Sequence, residues 1–376
     1  WHLIEGGIDE GRIVVQRLFD IAPDETAFTL NAKCYAAALD SFDEVIGALE
    51  HGVPGLVAQQ SVPRSYHARD DRPGSAWLDV TRPAADLARV VRALDHGGYF
   101  NPLCMARLRI GDHILLAGQA APVQGQGIPG TVLENDGTRL TVATGDGALR
   151  LSRITGSDGA TVDLAACAPV GHVLTPTSDG DRQALADLAT QDGYWRRVMT
   201  AMRPITLPVV SGKSASTERR ALNLAPETAL AAIATWAARI GGDEGAHLAY
   251  AGPVQADAPD LACPWVPVDA SRLAEDMAEA EARGPFALDL FAREPALDAA
   301  HRPHLGLRLA GKDLIPGTAL TVDLTDTPAL LYDPARVSPA MADLLAKRLE
   351  ALGRGETAAM PEAERHLTVE AWNRTD

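Results

Sequence analysis

Long apolar runs, paired cysteines and an excess of basic residues are all missing from this sequence of 376 residues. No apolar run approaches the roughly 20 residues that a bilayer-spanning helix needs, so we expect no membrane segment. The four cysteines (Cys34, Cys104, Cys167 and Cys263) form no Cys-x-x-Cys pair, which argues against a zinc ribbon or a dense disulfide framework and fits a cytoplasmic location. Lys and Arg number 34 against 50 Asp and Glu, and a net charge of −16 repels polyanions, so we expect no nucleic-acid partner.

The length and the two ends of the chain bear on its organisation. A chain of 376 residues suggests two to three domains at roughly 100 to 200 residues each. The sequence opens with Trp1 rather than Met, inside a predicted strand, and stops at Asp376 without the composition of a tail. We therefore expect a fragment of a longer polypeptide.

The first 50 residues have the pattern of an α/β unit. Two apolar stretches, 1–4 and 13–15, flank a glycine-rich turn at 6–11, which predicts strand, loop and strand. Apolar residues then recur at helical spacing over 24–51, which predicts one long amphipathic helix. A strand followed by a helix is the repeating unit of an α/β sheet, and we interpret this region as the last part of one.

The next region has the pattern of a small β-barrel. The polar, proline-containing stretch 63–74 is typical of a linker, and a helix is predicted over 83–95. Short apolar segments separated by Asp-Gly and Gly-Asp turns then predict hairpins. The predicted strands are 106–110, 114–117, 130–133, 140–144 and 149–154.

From about residue 166 helical and strand patterns alternate, which predicts a second α/β domain. The predicted helices are 181–200, 226–240, 271–283 and 338–352, and the predicted strands are 248–251, 305–309 and 319–324. Trp195, Trp236 and Trp265 lie among apolar neighbours and are expected in the core.

Two parts of the first 160 residues together resemble one enzyme family. The run HLIEGGIDEGRIVVQ at 2–16, followed by IAPDETA at 21–27, resembles the formyltransferases that use 10-formyltetrahydrofolate. The segments 77–79, 130–133 and 143–149 are similar to the C-terminal OB-like subdomain of that family and follow in the same order. The resemblance implies the end of a Rossmann-like catalytic domain and then a small OB-like β-barrel.

The resemblance also implies site residues. The family uses Asn, His and Asp, with the Asp inside a Gly-Ile/Leu-Asp-x-Gly loop, and Asp9 matches that aspartate. Asp9 is thus the implied catalytic residue, and Gly7, Ile8 and Gly11 form the implied substrate or folate loop. The family's Asn-x-His lies upstream of this loop and is not in this chain, so we expect the chain alone to be inactive.

The residues by themselves leave other interpretations open. Without the family resemblance, Asp9 could be an ordinary turn aspartate, and Gly7 and Gly11 could simply form the turn. His2 lies close to Asp9 in sequence, but a histidine on a strand more often packs than catalyses.

The second α/β region resembles a condensation-domain lobe of a nonribosomal peptide synthetase, which implies a chloramphenicol-acetyltransferase-like fold. The segments that carry this resemblance are 193–197, 283–290, 331–334 and the tail 360–376, which is similar to the linker into an adenylation domain. The family's His-His-x-x-x-Asp-Gly motif is missing, since the comparable region offers only His172 with Asp179-Gly180 at the wrong distance. We therefore expect a lobe without condensation activity.

Two further motifs are rejected as sites. The segment 211–214 (SGKS) suggests a phosphate loop, but the first glycine of that motif would fall at Leu207. His301 and His304 are separated by Pro303, which prevents a regular helix, and no further ligand follows at suitable spacing. No metal site is predicted.

The two resemblances together predict a multidomain α/β chain. The predicted parts are a formyltransferase remainder (1–70), its OB-like subdomain (71–165), a condensation-like lobe (166–359) and a linker (360–376). The implied reaction transfers formyl from 10-formyltetrahydrofolate to the amine of an aminoacyl group on the phosphopantetheine of a carrier. The implied partners are the adenylation and peptidyl carrier domains of the same synthetase. The alternatives are a sugar-nucleotide or methionyl-tRNA formyltransferase and, in another class, a noncatalytic interdomain platform.

Overall fold

The computed structural model describes residues 1–52, 55–59, 76–207, 216–242, 245–297 and 302–356. The chain divides into two compact units, Trp1–Arg182 and Gln183–Asp376. Each contains helices and a β-sheet, so the predicted mixed α/β character is confirmed. The predicted linkers at 63–74 and 360–376 lie outside the described residues, and the four-part division of the chain stays a prediction.

The first 16 residues form a loop closed by single bridges rather than by full strands. His2 pairs with Ile13, and Ile13 pairs with Val57, both antiparallel. The amide of Leu3 donates to the carbonyl of Arg12 at 2.9 Å. These bridges hold the two ends of the glycine-rich loop together.

The single long helix predicted over 24–51 is wrong, because the chain forms two helices, α1 (Ala27–Asp40) and α2 (Phe42–Glu50). Thr26 begins α1, where its hydroxyl accepts a hydrogen bond from the amide of Thr29. The hydroxyl of Ser41, between the helices, donates to the carbonyl of Ala37 at 2.7 Å. A side chain that bonds back to the preceding turn competes with the backbone ladder, which accounts for a break at this residue.

The β-rich region is a half-barrel covered by the helix α3 (Ala84–Ala93). Five antiparallel strands run in the order β1-β2-β5-β4-β3, and they confirm the predicted strands, although β2 and β5 are longer than predicted and β3 lies two residues later. Their bounds are β1 (Ala106–Ile110), β2 (His113–Val123), β3 (Val132–Asn135), β4 (Leu140–Ala143) and β5 (Ala148–Gly156). Leu87 and Val91 of α3 share one buried cluster with Leu108, Leu140 and Leu149 of the sheet.

The segment 171–175 pairs with both edges of the half-barrel. Thr175 bridges Arg109 of β1, and Val173 bridges Thr131 beside β3. The amide of Leu174, whose side chain is buried in the barrel core, donates to Gly130 at 2.9 Å. The short helix α4 (Leu164–Cys167) precedes this segment.

The second sheet is mixed and has six strands in the order β6-β11-β10-β9-β7-β8, with β7, β9 and β10 parallel. The strands are β6 (Glu218–Ala221), β7 (His247–Ala251), β8 (Val266–Asp269), β9 (Leu305–Arg308), β10 (Leu320–Asp323) and β11 (Ala329–Tyr332). The prediction missed β6, β8 and β11. Pro267 is accommodated in β8 because that strand lies at the edge of the sheet.

The single helix predicted over 181–200 is wrong, because two helices occupy that range. The helices are α5 (Asp179–Ala189), α6 (Asp192–Ala201), α7 (Pro226–Gly241), α8 (Pro253–Ala256), α9 (Leu273–Arg283), α10 (Leu290–Arg293) and α11 (Pro339–Gly353). Ser338 caps α11 as the sequence predicts, since its hydroxyl accepts from the amide of Met341.

Among the described residues, no helix has the length and apolar character to cross a bilayer.

The core of the second unit contains the three tryptophans predicted for it. Trp195, Trp236 and Trp265 expose at most 3% of their surface. The indole of Trp195 donates to the carbonyl of Gly284 at 3.0 Å. A fully buried ion cluster joins Arg293 to Asp192 (2.6 Å) and to Asp289 (3.0 Å).

Candidate active site

The glycine-rich loop brings together all the predicted site residues, Gly7, Ile8, Asp9 and Gly11. Gly6 and Asp9 both adopt left-handed backbone conformations, with φ of 67° and 56°. Aspartate enters this region more readily than most residues with a side chain. The Asp9 side chain is 84% exposed, so its carboxylate is available to a molecule outside the loop.

Two further residues fix the base of the loop. The guanidinium of Arg12 donates two hydrogen bonds to the Glu5 carboxylate, Nε to Oε2 at 2.9 Å and Nη2 to Oε1 at 2.6 Å. These hydrogen bonds lower the pKa of Glu5. A two-pronged pair of this kind adds geometric specificity as well as attraction. The pair of Glu5 and Arg12 therefore holds the two ends of the loop at a fixed distance from each other.

Glycine is required at one position of the loop and tolerated at another. Gly11 is buried, and a side chain there would collide with the backbone of Leu3. At Gly7 a side chain would meet only the carboxylate of Glu10, which can rotate away. Gly7 also donates its amide to that carboxylate at 3.2 Å. Ile8 is 67% exposed and lies on the surface of the loop.

His2 lies beside Asp9 across the loop. Its Nε2 is 3.6 Å from Oδ1 of Asp9, and its Nδ1 is 2.9 Å from the carbonyl oxygen of Leu3. The side chain is 37% exposed rather than packed in a core. The arrangement places an imidazole nitrogen within electrostatic reach of the predicted catalytic carboxylate.

Gln59 contacts the loop from a distant part of the chain. Its side-chain nitrogen donates to the carbonyl of Asp9 at 2.9 Å and to that of Gly11 at 2.7 Å. Gln59 was not predicted from the sequence. A single glutamine about 50 positions away carries no periodicity or motif that could have indicated the contact.

A cavity of about 630 Å³ adjoins the loop. Both His2 and Gln59 line it, so the cavity shares two residues with the surroundings of Asp9. The other lining residues are Trp1, Ile13, Val15, Gln16, Arg17, Phe19, Cys34, Ala37, Ala38 and Ser41. This volume lies in the range of small-molecule sites, and the lining mixes apolar and polar side chains.

Of the motifs rejected from the sequence, the segment 211–214 and His301 lie outside the described residues. His304 is half-buried, with its Nδ1 3.0 Å from the amide nitrogen of Leu207. His172 is exposed in a turn, where its carbonyl accepts from the amide of Val132. Among the described residues, no group of three or more His, Cys, Asp or Glu side chains is arranged to hold a metal ion.

Comparison with known proteins found matches to part of the chain. Residues 72–168 match the family model "Formyl transferase, C-terminal domain". The methionyl-tRNA formyltransferase of Nitrosococcus oceani is 30% identical over 153 residues, which are 40% of this chain and 46% of that protein. That of Methylobacterium sp. is 33% identical over 165 residues, covering 43% and 50%. The chain thus spans about half the length of the curated relatives it matches.

Solved structures similar to this chain include members of both families named from the sequence. The sugar 3N-formyl transferase WlaRD, solved with dTDP and 5-N-formyl-THF, is 20% identical and covers 40% of this chain and 52% of its own, with a TM-score of 0.33. The starter condensation domain of the rhizomide synthetase RzmA is 16% identical and covers 48% and 55%, with a TM-score of 0.35. The resemblance to the formyltransferase family is confirmed by the sequence matches.

Proposed function

We propose that this chain belongs to the initiation region of a nonribosomal peptide synthetase, where formyl passes from 10-formyltetrahydrofolate to the amine of a carrier-bound aminoacyl group. The match of residues 72–168 to the formyltransferase C-terminal domain carries the proposal of formyl transfer. The exposed carboxylate of Asp9, in a loop that resembles that of the family, supports it. The synthetase setting rests on the resemblance of the second unit to a condensation lobe.

Formyl transfer requires a carboxylate that stabilises a protonated histidine, and Asp9 can supply it. The amine nitrogen forms a bond to the formyl carbon, the bond from that carbon to the folate nitrogen breaks, and the proton that the amine gives up ends on that folate nitrogen. A histidine that accepts this proton becomes an imidazolium, which a nearby carboxylate orients and stabilises. Asp9 takes that role toward a histidine of the kind found in the family's Asn-x-His motif, and the asparagine of that motif stabilises the developing negative charge on the formyl oxygen.

The cavity beside the loop suits the formyl donor as a substrate. Its 630 Å³ can hold a ring system of folate size, and Trp1 and Phe19 offer apolar surface to it. His2 supplies a polar group beside Asp9. Trp1, Phe19 and His2 are the residues that we assign to donor binding within the described part of the chain.

The remaining regions are assigned supporting roles. The half-barrel is the OB-like subdomain of the formyltransferase part, and the second unit is a chloramphenicol-acetyltransferase-like lobe. Without the paired histidines of a condensation domain, the lobe acts as a spacer that sets how far a carrier travels between adenylation and formylation sites. Such a spacer controls the effective concentration of the tethered amine. The proposed partners are the adenylation and peptidyl carrier domains, with phosphopantetheine on the carrier.

A comparison of acceptors tests the proposal. The polypeptide that contains this chain is incubated with 10-formyltetrahydrofolate and, in separate reactions, with an aminoacyl carrier protein, methionyl-tRNA or an amino-sugar nucleotide. Mass spectrometry of each acceptor measures formylation. We expect transfer to the aminoacyl carrier. Transfer to tRNA or to the sugar nucleotide alone would replace the synthetase assignment by the corresponding alternative.

A further inference from the structure

We infer that Gln59 is a positioning residue that fixes the backbone conformation of the loop carrying Asp9, and the catalytic consequence of this inference rests on the proposed function. One amide group makes two hydrogen bonds to the loop. The side-chain nitrogen of Gln59 lies 2.9 Å from the carbonyl oxygen of Asp9 and 2.7 Å from that of Gly11. A carboxamide nitrogen has two protons, one for each of these acceptors.

Chemistry fixes the orientation of this amide. The nitrogen and oxygen of a glutamine side chain look alike by shape, so the assignment must come from the partners. Both partners here are backbone carbonyl oxygens, which only accept hydrogen bonds. The group that faces them must therefore be the NH₂, and the Gln59 oxygen points elsewhere.

The loop needs an external tie at these two carbonyls. Asp9 has a φ of 56°, a left-handed conformation that costs free energy for a residue with a side chain, although less for aspartate than for most, and hydrogen bonds from the surroundings stabilise it. The loop's internal bond from the amide of Glu10 to the carbonyl of Gly7 is long, at 3.4 Å. Gln59 holds the carbonyl oxygens on both sides of Glu10, so it restrains the peptide units that set the direction of the Asp9 side chain.

Gln59 is itself held beside the loop by a neighbouring bridge. Val57, two residues earlier, exchanges two backbone hydrogen bonds with Ile13, at 2.8 and 3.1 Å. Ile13 directly follows the loop, so residues 57–59 move together with the base of the loop. The two hydrogen bonds from Gln59 thus form a clamp, and this clamp is attached to the same backbone bridge as the loop that carries Asp9.

Position matters for a group that acts on a proton. A shift of about 1 Å in a catalytic side chain can lower a rate on the order of 100-fold. Loss of the clamp leaves Asp9 in the protein but lets its carboxylate adopt several positions. The expected effect is a fall in kcat with little change in substrate affinity.

Amide hydrogen exchange in the 376-residue chain tests the clamp directly. Gln59→Met keeps the length of the side chain and removes both donors. Its matched control is Gln16→Met, because Gln16 lines the same cavity and its side chain donates no hydrogen bond to the loop in the structure. We expect the loop amides of Gly7, Glu10 and Arg12 to exchange roughly tenfold faster in Gln59→Met and at the wild-type rate in Gln16→Met. Equal exchange in the two variants would overturn the inference.

Kinetics of the polypeptide that transfers formyl test the consequence. We expect Gln59→Met and the similarly shaped Gln59→Glu to lower kcat roughly tenfold, with KM within about twofold and an unchanged melting temperature. An unchanged kcat would remove the positioning role. If the wild-type polypeptide transferred no formyl at all, the proposed function would fail, and the exchange experiment alone would decide whether Gln59 is a clamp.

Discussion

Gly11 approaches Leu3 so closely that a Cβ atom at residue 11 would lie 1.6 Å from the Leu3 carbonyl oxygen. The colliding atom belongs to the backbone, so no rotation of a side chain can relieve the contact. Gly11 is also buried, and its own carbonyl is one of the two held by Gln59. The shape of the loop thus depends on the absence of a single methyl group.

Gly11→Ala is expected to displace the loop and to abolish most formyl transfer, because the added methyl group separates residue 11 from Leu3. Gly7→Ala is the matched control, since its methyl group meets only the movable Glu10 carboxylate. We expect activity at least tenfold lower in Gly11→Ala than in Gly7→Ala, measured as formylated acceptor per unit time. Equal activities would show that the loop accommodates the methyl group without consequence.

Asp9→Asn is expected to keep the fold and to lower kcat about 100-fold or more, because a neutral amide stabilises an imidazolium far less than a carboxylate does. The control is Asp20→Asn, which removes an exposed carboxylate elsewhere in the same unit. Circular dichroism checks the fold, and the formylation assay checks the rate. Full activity of Asp9→Asn would reduce Asp9 to a turn residue.

Arg293→Met is expected to lower the free energy of unfolding of the second unit by about 3–5 kcal/mol. The Arg293 side chain is 1% exposed and pairs with two buried carboxylates, so its removal leaves Asp192 and Asp289 buried without this cation. Urea denaturation followed by tryptophan fluorescence measures the change. The control Arg354→Met breaks an exposed pair with Glu356 and should leave the unfolding midpoint unchanged. A similar midpoint for both variants would contradict the role given to the buried cluster.

The stability of the second unit is expected to fall as the pH decreases below about 6.5. Burial lowers the pKa of His304 from its usual value near 6.5. Between the folded and unfolded pKa values the unfolded chain binds the proton more readily, so the unfolding free energy falls with decreasing pH. Urea midpoints at pH 7.5 and 5.5 should differ more for the wild type than for His304→Asn. The same difference in both proteins would assign the pH dependence to other groups.

Binding to tRNA is expected to be negligible at physiological salt, because the chain carries a net charge of −16. A gel-shift titration with tRNA at two salt concentrations is the measurement. Micromolar or tighter binding that weakens steeply with salt would favour the methionyl-tRNA formyltransferase alternative.

Helices and strands that depend on a local sequence pattern were predicted, whereas features that depend on distant contacts were not. The strand β1 was predicted with its observed bounds, because its apolar residues are followed directly by a Gly-Asp turn. The break at Ser41 was not predicted, because a serine that bonds back to its own helix interrupts no apolar spacing. The strand β8 was not predicted, because it contains Pro267. Proline is tolerated in a strand at the edge of a sheet, and only the complete sheet shows which strand is at the edge. The loop that carries the candidate site residues follows a sequence motif, whereas the contact from Gln59 to that loop is long-range and left no local signal.

Residues 171–175 have a consequence for self-association. By bridging Arg109 on one edge of the half-barrel and Thr131 beside the other, this one segment covers backbone groups that would otherwise offer templates for pairing. Proteolytic cleavage within it would leave most of the barrel core in place but expose two strand edges at once. The nicked protein would then be prone to add strands from its neighbours and to aggregate.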